Sequence, residues 1–108
     1  MRALLVTCGL VVCTIGGFAN DQRKPQTHTV TIEGMRFQPE ALTVAPGDTI
    51  VWVNKDLVPH TATSKAGNFD SNAIQADKSW RYTVQKKGAF AYICTFHPTM
   101  KAMLRVDQ

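Results

Sequence analysis

The chain carries only three cysteines and three histidines in 108 residues, and no apolar run in it is long enough to cross a bilayer. The most apolar stretch, residues 3–15 behind Arg2, falls short of the about 20 residues that a membrane helix needs. A basic start, a short apolar core and small residues at Gly17 and Ala19 form instead the pattern of an export signal. We expect residues 1–19 to be cleaved near Ala19, leaving the protein periplasmic or secreted. Leu10-Val11-Val12-Cys13 has the outline of a lipoprotein box, but Val12 is bulky where that box takes a small residue. Lipid anchoring at Cys13 is therefore the minor alternative.

Removing 19 of the 108 residues leaves 89, which is one domain with a small core and a thin margin of stability. Cys8 and Cys13 leave with the signal. Cys94 then stands alone in an oxidising compartment and has no internal disulfide partner. An unpaired exported thiol is either a hazard or a working group. Charge is equally sparse: losing Arg2 takes Lys+Arg from 12 to 11 against 8 acidic residues, a net +3. The cations are scattered from Arg23 to Arg105, and no basic stripe interleaves with exposed aromatics, which argues against nucleic-acid binding. A mild preference for acidic protein partners is all this charge implies.

A helical period is also missing. After a polar, flexible lead-in over residues 20–27, short runs rich in Val, Ile, Thr and aromatics alternate between faces and stop at turn residues. Val30 pairs with Ile32, Leu42 with Val44, and Ile50 with Trp52. Trp80, Tyr82 and Val84 alternate along one run and Phe90, Tyr92 and Cys94 along the next, with Lys86-Lys87-Gly88 turning between them. Ala45-Pro46-Gly47-Asp48 sets Pro and Gly where a type II turn wants them. Residues 65–78 dissolve into Gly, Asn, Asp and Ser and read as a long loop with room for a helical turn. The expected fold is all-β: an antiparallel Greek-key sandwich of about seven or eight strands over residues 28–108, with both tryptophans in its core.

What is present is concentrated in Tyr92-Ile93-Cys94-Thr95-Phe96-His97-Pro98-Thr99-Met100. A thiolate, an imidazole and a thioether recur every third residue in a loop between two strands. Such a loop curls on itself and can aim all three at one point, about 2–2.5 Å from each. A second imidazole comes from His60, which follows Pro59 at the start of a short strand predicted over residues 61–64; the ring of Pro59 restricts the backbone there. Two imidazoles, one thiolate and a long axial thioether form the donor set of an electron-transfer copper site. Singly, each has a plainer explanation: Cys94 as a small buried hydrophobe, His97 as a loop histidine, Met100 as core filler. Together with the lone exported thiol they point to one metal. Met103 shares a strand face with Arg105 and points away, Met35 sits in a turn after Gly34, and His28, between threonines, reads as surface.

These residues carry a resemblance to the cupredoxins of the plastocyanin/amicyanin/pseudoazurin group, and it covers nearly the whole chain after the signal. It includes Met35-Arg36-Phe37-Gln38-Pro39, the Pro46-Gly47-Asp48 turn, Val53-Asn54, Pro59-His60 and the Tyr92-x-Cys94 entry; Cys-x-x-His-x-x-Met with Pro98 after the histidine is similar to the short amicyanin loop. The resemblance implies one type 1 copper ion, Cu(I)/Cu(II), on His60, Cys94, His97 and Met100. It also implies a monomeric one-electron carrier that meets redox proteins (a c-type cytochrome, a periplasmic dehydrogenase or reductase) near His97, Phe96 and Pro98, touching membranes only transiently or through a partner. Where many relatives carry Asn after the first histidine, this chain has Thr61, whose hydroxyl offers a similar link to the cysteine loop. The alternative is a copper-delivery protein on the same ligands. An enzyme is disfavoured, because the cupredoxin-containing oxidases and nitrite reductases need further histidine clusters.

Overall fold

Alternation of apolar and polar residues every second position forces one face of each strand inward, and the computed structural model, which describes Gly9 and residues 23–107, follows that pattern closely. The segments are β1 (Thr27–Ile32), β2 (Phe37–Gln38), β3 (Ala41–Val44), β4 (Thr49–Asn54), β5 (Thr63–Ser64), β6 (Phe69–Asp70), β7 (Ser79–Thr83), β8 (Gly88–Ile93) and β9 (Lys101–Val106). They form two sheets, β2-β1-β4-β7 and β3-β9-β8-β5-β6. The all-β sandwich is as expected, with two differences. Among the described residues its strands number nine, because β2, β5 and β6 are two-residue pieces too short to show a period. The sheets are mixed rather than antiparallel: β1 runs parallel to β4 and β3 parallel to β9. Alternation reports which face a residue takes and is silent on the direction of its neighbour.

Val30, Ile32, Ile50, Trp52, Phe37, Tyr92 and Leu104 fill the space between the sheets. Trp52 is fully buried, whereas Trp80, on edge strand β7 opposite it, is only half-buried. The turn at residues 45–48 closes with Asp48 N–H donating to Ala45 C=O at 3.0 Å, and Gly47 takes the positive φ of 93° that a type II turn requires. The loop over residues 65–78 contains no helical turn. It is interrupted by β6 and pinned by a bridge between Ile74 and His60, a long-range pairing that local composition does not encode. The expected export signal, cleavage near Ala19 and lipid site at Cys13 lie outside the described residues.

The far end of the sandwich is fastened by a buried carboxylate. Asp48 accepts a two-pronged bond from Arg23 (2.9 and 3.2 Å), the N–H groups of Gln26 and Ala45, and a bond from His28 Nε2 at 2.9 Å. His28 is thus half-buried and tied to Asp48 rather than a free surface residue, and Arg23 and Gln26 bring the lead-in onto the same anchor. The Arg23 guanidinium, opposed by burial and aided by the two backbone donors and His28, holds the Asp48 carboxyl far below the usual carboxylate range. Because the folded state favours the ionised form, the stabilisation is fully present above about pH 4 and fades as pH falls below the ordinary carboxylate value. Asp48→Asn should cost on the order of 2 kcal/mol, since Arg23 is partly solvated and the buried donors lose a charged acceptor. Urea unfolding at pH 7 measures that loss, and the gap between variant and parent should narrow in acid.

Candidate metal centre

The site is assembled from two loops at one end of the sandwich. Phe90, Tyr92 and Cys94 are buried on the same side of β8 and of the residue that follows it. The thiol therefore enters the interior by strand alternation alone. Beyond it the chain turns tightly: His97 N–H donates to Cys94 C=O at 3.2 Å, Met100 N–H to His97 C=O at 2.8 Å, and Cys94 N–H to Met100 C=O at 3.1 Å. This ladder folds residues 94–100 into a small closed loop. It leaves Met100 buried and His97 half-buried.

His60 arrives from 34 positions upstream of Cys94. Its backbone is clamped to Ile74 by two bonds of 3.1 and 2.7 Å. The loop before it is shaped by buried Asn54, whose amide donates to Val58 and Ile74 carbonyls and whose oxygen accepts Asp56 N–H, each at 2.9 Å. The His60 ring is fully buried and its Nε2 lies 2.8 Å from Asp56 Oδ2. With Nε2–H donating to that carboxylate, the lone pair on Nδ1 is free. Burial pushes the Asp56 carboxyl up, but donors from Met35 N, Gly34 N and the His60 ring outweigh it and hold the group below its ordinary value.

Three donor atoms converge. Cys94 Sγ lies 3.6 Å from His60 Nδ1 and 3.7 Å from His97 Nδ1, and all three lie within 4.8 Å of one another. Metal bonds of about 2.0–2.3 Å would set nitrogen and sulfur about 3.5 Å apart at a tetrahedral angle and about 3.8 Å apart at a trigonal one. The observed spacings fall between those limits, so one ion fits between the three. The sulfur accepts Thr61 N–H at 3.3 Å, which holds it in place between the two loops. Thr61 Oγ1 accepts Thr95 N–H at 2.8 Å and meets Thr95 Oγ1 at 3.1 Å, so the hydroxyl link between the two ligand loops is present. Soft sulfur with two imidazoles fits copper.

Three of the four residues that the sequence singles out thus meet through their donor atoms, and Met100 closes the same loop through its backbone. Met103 is exposed on β9, and Met35 is exposed in its turn, where its N–H donates to Asp56 behind His60. Sequence reasoning missed Asp56, whose only signal is an acidic residue four before His60 in an irregular loop, a spacing that is meaningful on a helix alone.

With this geometry in view, residues 5–106 match the family model described as the cupredoxin-like domain. The chain belongs to the cupredoxin-like family. It is similar to amicyanin of Paracoccus versutus, 30% identical over 83 residues that make up 72% of this chain and 63% of that relative, so it spans less than two thirds of that protein's length. Among solved structures it resembles part of the copper-containing nitrite reductase from Thermus scotoductus, at 28% identity and a TM-score of 0.72 over 80% of this chain and 23% of that one. The Cu(I) form of an amicyanin variant shares the fold, with a TM-score of 0.69 at 23% identity over 75% of this chain and 82% of that one.

In this cupredoxin the Asp56 carboxylate is what fixes the ring that His60 presents. Asp56→Ala should weaken metal binding by about 10–100-fold, the usual cost of losing a partner behind a ligating histidine. Competition against a chelator of known affinity for Cu(II) measures it.

Proposed function

We propose that this cupredoxin holds one copper ion between His60, Cys94, His97 and Met100 and carries single electrons between redox proteins. The observation that carries this reading is the meeting of a buried thiol with two imidazole Nδ1 atoms at metal-bond spacing. With copper bound, Cys94 would supply its sulfur, His60 and His97 their imidazoles, and Met100 a thioether that would tune the potential. Bound copper supplies a reversible Cu(I)/Cu(II) couple. The chain's own work is to keep the donors still, so that little reorganisation accompanies each electron. Asp56 fixes the His60 ring, the Ile74 bridge fixes its backbone, and the Thr61–Thr95 link ties the two loops together.

The exposed surface supports a carrier. Of the five exposed large hydrophobic side chains among the described residues, Met35, Leu57, Val58 and Phe96 lie in the loops at the metal end and only Met103 lies elsewhere. This apolar rim, with Pro98 beside the half-buried His97, suits brief, weak contacts with a c-type cytochrome or a periplasmic dehydrogenase or reductase. Of the three histidines, two belong to this centre and His28 is held by Asp48. None is left for a second, catalytic metal, and the reading is a carrier rather than an enzyme. Residues 1–19 are proposed to direct it to the periplasm or outside.

Adding Cu(II) to the protein without residues 1–19 should produce the intense absorption of a sulfur-to-copper charge transfer. The band should bleach and return with one electron per chain, and Cys94→Ala should abolish it. Absence of the band would overturn the proposal. Loss of the metal to an acceptor at each cycle would favour delivery over electron transfer.

A further inference from the structure

A column of aromatic rings crosses the interior sideways from the centre. Tyr92, two residues before Cys94 on the same buried side of β8, meets Trp52 with ring centroids 5.6 Å apart. Trp52 faces Trp80 at 5.4 Å across the β4–β7 pair, and Trp80 stacks on Tyr82 at 5.7 Å and 12°. Burial grades along the column: Cys94, Tyr92 and Trp52 are shut away, while Trp80 and Tyr82, on the edge strand of their sheet, are half-buried. Ring spacings of this size lie within ordinary aromatic contact, so the path has no saturated gap from the edge strand to Tyr92.

One atom in this column is unusual. Trp52 Nε1 is the buried side-chain polar atom without a hydrogen-bond partner among the described residues, and such a group calls for an explanation. The indole meets the Tyr92 ring edge-on, at 5.6 Å and 87°, with no hydrogen bond from its N–H. An indole that loses an electron normally loses its N–H proton next and becomes trapped as a neutral radical. With no acceptor for that proton, Trp52 keeps it and stays ready to regain an electron. Tyr92, buried between Trp52 and the Cys94 centre on the same side of β8, serves as the bridge between them.

We infer that Trp80 and Tyr82 form a second, lateral redox port, from which Trp52 and Tyr92 drain oxidising equivalents to the Cys94 centre. The inference rests on the copper reading above. The co-reactant is a strong one-electron oxidant at the edge strand, such as an oxygen- or nitrogen-centred radical. Trp80 gives it one electron, Trp52 refills Trp80, and Trp52 is refilled through Tyr92 and Cys94 from reduced copper. The oxidant gains one electron, copper loses one, and no bond or proton changes hands in the protein.

The test places a photo-oxidant beside the port: a ruthenium polypyridyl complex bound to the histidine of an Arg81→His variant, in copper-loaded, reduced protein. After a flash with an electron-accepting quencher, Ru(III) should draw its electron from the copper centre in a fast phase, read as growth of the sulfur-to-copper band. Trp80→Phe and Trp52→Phe should each lose that phase while the steady-state copper spectrum is unchanged. Trp80, being half-buried, keeps the test meaningful should Trp52→Phe fail to fold. In metal-free protein the tryptophan radical should outlive that in the loaded protein and leave oxidised Trp80 in a peptide mass map. A fast phase insensitive to Trp80→Phe, or equal radical lifetimes with and without copper, would overturn the port. If the unlabelled protein forms no charge-transfer band at all, the copper reading fails first, and that outcome is distinct from loss of the port alone.

Discussion

The structure depends on keeping one sulfur and two imidazole nitrogens within 4.8 Å of each other, with Cys94 and His60 shut away from water and His97 half-buried. Unsatisfied polar atoms are costly in an apolar interior, so this arrangement exists only where every other atom nearby is satisfied. The backbone of His60 is paired with Ile74, its far ring nitrogen with Asp56, and the sulfur with Thr61 N–H. Each of these bonds removes one way for the cluster to relax apart. What remains is one sulfur and two Nδ1 atoms grouped within metal-bond reach of a shared point.

The sandwich gives these bonds their precision. Strand β8 carries Cys94 to its end and β9 returns beside it over six register pairs, so the ligand loop is short and its mouth has a fixed width. His60 has no such local support. Its placement comes from the β4 end, through Asn54, and from a loop that the Ile74 bridge pulls inward. A strand-held sulfur arm and a clamped imidazole arm then share a cross-link, Thr61 to Thr95. Rigid ligands favour electron transfer, since oxidised and reduced copper must use nearly the same geometry.

The two ends of the molecule have opposite electrostatic characters. At the metal end the one carboxylate tied to a ligand is Asp56, and Met35, Leu57, Val58 and Phe96 supply an exposed apolar rim. At the other, Asp48 gathers Arg23, His28 and two backbone donors into a buried ionic knot. The knot ties the first residues of the domain to the type II turn and sets the register of β1 against β4, where Thr27 pairs with Thr49. Because β1 runs parallel to β4, that register extends to Ile32 and Asn54 at the metal end, and a purely structural cluster thereby helps position Asn54 and the loop that leads to His60.

Alternation in the sequence was enough to decide which residues of the long strands turn inward and that Gly47 makes the turn, because these follow from one backbone's local preferences. The spacing of Cys94, His97 and Met100 was legible for the same reason: three donors in one tight loop need no distant partner to point together. Parallel pairing of β1 with β4, the two-residue strands β2 and β6, the bond of His28 to Asp48 and the role of Asp56 were not legible. Each depends on a residue more than one element away, and a chain read locally carries no record of which distant backbone it will meet. His60 stands between the two cases. Its type and its proline neighbour nominated it, but only the folded sheet could bring its ring to 3.6 Å from the sulfur.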